Sequence, residues 1–420
     1  MTGGWTKKTL FTLADQAVFS GSMFAINILL VRWTSPQEYG AFAVLFAIFL
    51  ILSGIHNALV IEPMTVFGSK KEQQELSPYM AGVYLLHGIV VIAIAAVAIV
   101  IALMIGHDSL TIGRWALPIA TPLVLCFWLV RRKCYVMGNP VRAFTLSLSY
   151  GFLAIAGVSV LHRVDHLSAF SAFLVFGISG FTISLIPMWR TIYFSVVEAA
   201  RSFRSLLHRH WTYGRWAFGE SIMFALGTSI YPLLIAYFGG VDQAGEFRAM
   251  HILFLPLNHL LTALGLILLP WLSRRRAVDG DDLFSRRAYT VLILFVSLAV
   301  VYLLPVTLLG SRIASMLYDS PEFVGMVWIL PYLGIATMFT VVSTALMIFL
   351  RAAERPDCIF LAVASSAGVT VVLGSLLIAF FGTYGLAIAL VASSVTATAL
   401  LYWSSRSLVL QRLNPSFSAP

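Results

Sequence analysis

Twelve long apolar runs dominate this chain. They fall at roughly 10–31, 40–61, 79–105, 115–130, 143–161, 169–189, 216–238, 247–272, 288–309, 326–350, 358–380 and 384–403. A run of about 20 apolar residues wound as a helix matches the hydrocarbon thickness of a bilayer. Only 11% of the 420 residues are charged and mean hydropathy is +0.91. Soluble domains carry roughly 25% charged residues, so water could not solvate the exterior of such a fold. Lipid removes that difficulty, provided every backbone polar group is satisfied within helices. The expected fold class is an all-α membrane protein of about twelve transmembrane helices. Lys7 and Lys8 precede the first run without a small-residue cleavage site, which reads as a retained first span rather than a secretory leader.

The cations set the orientation. With the N-terminus in the cytoplasm and strict alternation, 22 of the 27 Lys and Arg fall in inside segments. Outside segments hold Arg32, Arg114, Arg163, Arg248 and Arg312. This asymmetry is the positive-inside rule, and it places both termini in the cytoplasm of a bacterial inner membrane. The formal charge of +9 thus belongs to the cytoplasmic leaflet, and no nucleic-acid partner is expected. Trp115, Trp189, Trp216, Trp271 and Trp403 sit at run ends, where indoles suit the headgroup layer.

The longest stretch between runs is 190–214. There Val197, Ala200, Phe203, Leu207 and Trp211 recur at helical spacing, with Arg201, Arg204, Ser205, His208 and Arg209 mostly opposite. The pattern predicts an interfacial amphipathic helix. It divides the chain into an N-terminal six-helix lobe (1–189), a cytoplasmic linker (190–214) and a C-terminal six-helix lobe (215–420).

The halves repeat one another. Ser35-Pro36-Gln37-Glu38-Tyr39-Gly40-Ala41-Phe42 aligns with Gly240-Val241-Asp242-Gln243-Ala244-Gly245-Glu246-Phe247, and the same offset carries Asp15 onto Glu220 and Phe19 onto Phe224. A second echo joins the segment from Arg132 to Pro140 with that from Ile348 to Pro356. Repeats with an even number of spans keep one orientation, so the lobes relate by an axis along the membrane normal. Such lobes leave a cleft near the midplane, and rocking about it gives alternating access.

At Asp15-Gln16, the stretch from Leu29 to Phe42, Glu62-Pro63, Ala244 to Arg248 and Arg351 to Pro356, the chain resembles the polysaccharide-transport branch of the MATE-like flippase superfamily. These are the Wzx-type O-antigen and exopolysaccharide flippases. The resemblance implies a V-shaped bundle that moves undecaprenyl-diphosphate-linked oligosaccharide from the cytoplasmic to the periplasmic leaflet. It also implies polysaccharide polymerase and chain-length proteins as partners beside the lipid-linked oligosaccharide and the phospholipid bilayer. Members of that family often place several Arg or Lys deep in their spans. Here the mid-span polar groups read mainly as His, Asn and acids.

Ionisable groups at membrane depth are costly and mark function or pairing. In span one, Gln16, Ser20 and Asn27 share a helical face, with Asp15 beside it and Arg32 at the end. Span two carries Ser53, His56, Asn57 and Glu62. Span eight shows a stripe of Arg248, His251, Asn258, His259 and Thr262, and span seven adds Glu220. Asn27, His56, Asn57, His251, Asn258 and His259 are candidates for a hydrated sugar path. Arg32 and Arg248 suit a diphosphate, which a guanidinium meets through paired hydrogen bonds. Asp15 and Glu220 are candidate proton or sodium coupling sites. Against these roles, Asp15, Glu220, Arg32 and Arg248 lie near span ends, where a side chain can reach the interface.

Catalytic signatures are missing. The chain has no GxxxxGK[ST], HExxH or GxSxG segment, so no enzyme activity and no cofactor are expected. Cys126, Cys134 and Cys358 are too scattered for a disulfide framework or zinc site, and His162 and His166 in one short loop offer few ligands. Two other readings stay open: a cation-coupled drug or metabolite exporter of the MATE-like fold, and a non-transporting or enzymatic membrane component of a polysaccharide assembly machine.

Overall fold

The structure is a computed structural model that describes residues 2–68, 73–105, 113–318, 321–353 and 355–413. The described residues are almost wholly helical, and contacts divide the chain into two units, Met1–Ala225 and Leu226–Pro420. Six spans lie in the first unit: Leu10–Trp33, Pro36–Gly68, Leu76–Met104, Gly113–Val136, Pro140–Arg163 and Ala169–Tyr193. Spans seven and eight are each broken, Ala217–Gly227 with Tyr231–Gly239 and Val241–Ile252 with Leu255–Gly265. Leu283–Leu308 and Phe323–Ala352 are spans nine and ten. The last stretch, Asp357–Arg406, is 50 residues long and holds two spans, because the chain reverses at Gly382. Among the described residues, counting each broken pair as one span and the last stretch as two gives twelve.

Local chemistry explains the boundaries. Ser35 caps span two by accepting from the Glu38 amide, with Pro36 at the first helical position. Asn139 and Pro140 begin span five in the same way. The final hairpin needs two glycines. Gly382 has φ +56°, a left-handed conformation that costs a side-chain-bearing residue energy. Gly385 lies so close to the returning chain that a β-carbon would sit 1.9 Å from the Leu377 carbonyl oxygen. Gly385→Ala is therefore expected to force the hairpin apart and destabilise the protein by about 1–3 kcal/mol or more, read as a lower midpoint of thermal unfolding in detergent.

Within the first unit, span one packs along span five, where Gly151 leaves room for Ser22, and span three packs along span four. The second unit uses the same pairings. Gly227 of span seven approaches Ala367 of span eleven, and Gly334 of span ten admits Thr307 of span nine. Small residues let helix backbones approach where lipid supplies no hydrophobic drive.

Span two contains a π-helical turn, Asn57–Ile61, immediately before Pro63. Proline has no N–H, so the Leu59 carbonyl has no donor four residues on. The Glu62 amide donates to Asn57 instead of to Ala58, in the π pattern. Two adjacent carbonyls thus lack their ordinary helical partners. The linker helix supplies the remedy. His210 Nδ1 lies 3.2 Å from the Leu59 oxygen, and its Nε2 accepts from the Tyr79 hydroxyl at 2.9 Å. Because a carbonyl only accepts, Nδ1 carries the proton and the ring is neutral. Gly214 fits against Ala58, where a β-carbon would meet the carbonyl oxygen at 2.9 Å. Tyr213 donates to Glu62 at 3.0 Å and the Arg209 guanidinium covers the Phe67 ring at 4.8 Å. Residues 190–214 are helical, and this part of the linker is clasped to the first unit.

Candidate functional site

Asp15 on span one is fully buried. Arg131 of span four meets it with both edges of its fork, Nη2 to Oδ2 at 2.6 Å and Nε to Oδ1 at 3.3 Å. The Tyr135 hydroxyl donates to the same Oδ2. Arg131 Nη2 also donates to Gln16 at 3.2 Å, and Gln16 donates to Ser20 at 3.1 Å. Phe19 lies under the guanidinium at 4.3 Å. Arg131 and Tyr135 are four residues apart, so one helical face brings both to the carboxylate. The sequence pattern places Arg131 among cytoplasmic loop cations and the mid-span polar groups among His, Asn and acids. The structure buries Arg131 near the end of span four, where it is the counter-charge of Asp15.

A second polar line crosses the first unit. His56 Nε2 and His87 Nδ1 are 2.8 Å apart, and His87 Nε2 lies 3.4 Å from Cys126 Sγ. Both imidazoles are buried. One hydrogen is shared in the first contact, so the line is satisfied only with matched tautomers. His56 Nδ1 is buried with no hydrogen-bond partner, an atom that could receive a donor or a proton. Asn57 is half-buried at the start of the π turn. Asn27 is buried too, donating to Met23 at 2.8 Å and accepting from Tyr39 at 3.3 Å, which ties span one to span two. Arg32 is exposed at the end of span one.

Spans seven and eight are the broken ones. Pro232 follows the first break and Pro256 the second, each at the start of the new segment, where proline's missing N–H costs nothing. The halves meet at 44° in span seven and 52° in span eight. At the span-eight break Tyr302 donates to the Leu253 carbonyl at 2.7 Å, and Tyr318 donates to the Ala249 carbonyl at 2.6 Å. The tyrosines occupy carbonyls at the end of the first segment. Arg248 is buried there, and His251 is half-buried and stacked on Phe247 with ring centres 5.7 Å apart. Asn258 and His259 are half-buried on the second segment. The predicted stripe is thus split across a bend, with a cation and an imidazole before it and an amide and an imidazole after it. The side chain of Glu220 lies outside the described residues.

Sequence reasoning missed other partners. Tyr231 opens the second segment of span seven and binds Ser393 at 2.8 Å and Thr370 at 3.1 Å. Prolines inside apolar runs, Pro232 and Pro256, were the available signal for the breaks. For Arg131 the signal was its four-residue spacing to Tyr135 and the need of a buried acid for a counter-charge. Among the described residues no group of three His, Cys, Asp or Glu could hold a metal ion.

Set against solved structures, the chain has the fold of multidrug and toxin extruders. An inward-facing multidrug resistance MATE family transporter of the MOP superfamily superposes with TM-score 0.75 at 12% identity, covering 98% of this chain and 96% of the other. The lipid II flippase MurJ, in an inward closed conformation, superposes with TM-score 0.72 at 14% identity, covering 94% and 87%. A Vibrio cholerae MATE transporter, VcmN, gives TM-score 0.64 at 14% identity, covering 96% and 97%. No family model and no curated protein matches the sequence. The chain is a multi-pass membrane protein with a MATE-like fold, as the resemblance implied.

Proposed function

We propose that this chain is a flippase moving undecaprenyl-diphosphate-linked oligosaccharide across the bacterial inner membrane by alternating access, for polysaccharide export. The observation that carries the reading is the pair of discontinuous spans, seven and eight, in a fold also adopted by a lipid II flippase. Broken helices in transporters mark substrate sites, because half-helix ends offer unpaired backbone groups beside side chains. Arg248 beside such a break suits a diphosphate, as does Arg32, exposed at the end of span one. His251, Asn258 and His259, with Asn27, His56 and Asn57 of the first unit, offer the amides and imidazoles that sugar hydroxyls need. Asp15 and Glu220 are the coupling candidates. Polysaccharide polymerase and chain-length proteins are the partners this reading entails.

Complementation of surface-polysaccharide export tests the assignment. Asn258→Ala combined with His259→Ala is expected to abolish or sharply reduce export at unchanged protein level. Normal export by the double variant would remove both residues from the path. A second reading, cation-coupled export of small molecules, is favoured by the likeness to a multidrug transporter. Altered drug resistance with intact surface polysaccharide would select it.

A further inference from the structure

The linker helix has a face that the first unit does not cover. Its inward side is Leu206, His210 and Gly214, all buried in the clasp described above. Leu207 and Trp211, which the hydropathy pattern places on the apolar stripe, are instead 43% and 57% exposed. Arg204 and His208, which the sequence pattern sets mostly opposite that stripe, lie along its edge in the helix, one turn apart and exposed. The helix is tethered at both ends to apolar spans, Ala169–Tyr193 before it and the segment opening at Ala217 after it. At the end of span six, Trp189 and Tyr193 are both 67% exposed and stacked with ring centres 6.2 Å apart. Exposed amphipathic aromatics of this kind mark the headgroup level, and Arg190 is exposed between them. An exposed apolar stripe edged by cations is complementary to an anionic interface.

We propose that the outer face of residues 204–211, Leu207 and Trp211 with Arg204, inserts into the headgroup layer and binds anionic phospholipid of the cytoplasmic leaflet. The clasp at His210 orients the helix about its axis. At about 100° per residue, positions 207 and 211 flank the clasped face on the side away from Leu206, and both side chains are open to the surroundings. The surface is distinct from the proposed substrate path, so its failure leaves that reading intact.

Tryptophan quenching in proteoliposomes of the full chain tests it. The Trp211 signal is the emission of the wild type minus that of Trp211→Phe. It is expected to be quenched by lipids brominated on the acyl chain near the headgroup and shielded from aqueous iodide. Brominated phosphatidylglycerol should be preferred over brominated phosphatidylcholine by about fivefold, the factor for one cation at an anionic surface. Arg204→Gln should erase that preference while leaving Trp211 in lipid. Quenching by iodide but not by brominated lipid overturns the proposal, as would occur if another protein or water covers this face. Equal quenching by the two lipids overturns it as well.

Discussion

Replacing Arg131 with alanine is expected to destabilise the protein by about 3–5 kcal/mol, the cost of leaving a buried carboxylate without its counter-charge. Asp15 is fully enclosed, and Arg131 supplies the charged donor on each of its oxygens. Tyr135 alone cannot neutralise the charge that remains. Thermal unfolding in detergent and the monodisperse fraction recovered after purification are the readouts. The converse change separates the pair from its members. Asp15→Leu with Arg131→Leu removes both charges and is expected to be nearly as stable as the wild type, since desolvating two ions offsets most of their attraction. If the single and double variants lose the same stability, the fork contributes nothing specific. Transport supplies an independent readout: a double variant that folds but does not transport would assign the pair to coupling rather than to packing.

His210→Ala is expected to cost about 2–4 kcal/mol, from a stranded Leu59 carbonyl and a buried cavity together. The effect should be local, seen as protease cleavage within 190–214 before global unfolding. The wild type should also show a pH dependence. Burial holds the His210 imidazole down to about 4 from its ordinary 6.5, against a smaller upward push from its bond to Leu59. A histidine that must be neutral when folded binds more protons unfolded, so stability rises with pH across the interval between those values. The contribution is complete above pH 6.5 and is lost as the pH falls toward 4, by roughly 3 kcal/mol at the bottom of the window. Conversion to glutamine, His210→Gln, keeps a donor for Leu59 and should flatten this slope. An unchanged slope in that variant would place the titration elsewhere.

Much of the architecture was legible in the chain because lipid imposes a one-dimensional rule. Each crossing needs its own apolar length, so the spans follow from residues near one another in sequence. The repeat was legible for the same reason, through Gly40 with Gly245 and Asp15 with Glu220. The polar residues of spans one, two and eight could be named as unusual, since a mid-span His or Asn stands out against Leu and Val. Their partners could not. Asp15 and Arg131 are 116 residues apart, and His56 and His87 are 31 apart. No periodicity links such positions. The linker gives the clearest case. Its apolar stripe was visible, yet hydropathy cannot tell a face that meets protein from one that meets lipid, because acyl chains are as apolar as leucine.

The sequence by itself determined that the chain is a bundle of membrane-spanning helices, because the energy of moving a helix into hydrocarbon depends on that helix alone. Only the tertiary structure decided that Arg131 answers Asp15, that His210 completes the carbonyl left open by Pro63, and that Leu207 and Trp211 face outward. Those outcomes turn on hydrogen bonds and ion pairs a few ångströms long between distant segments, and such contacts exist only once the helices have packed.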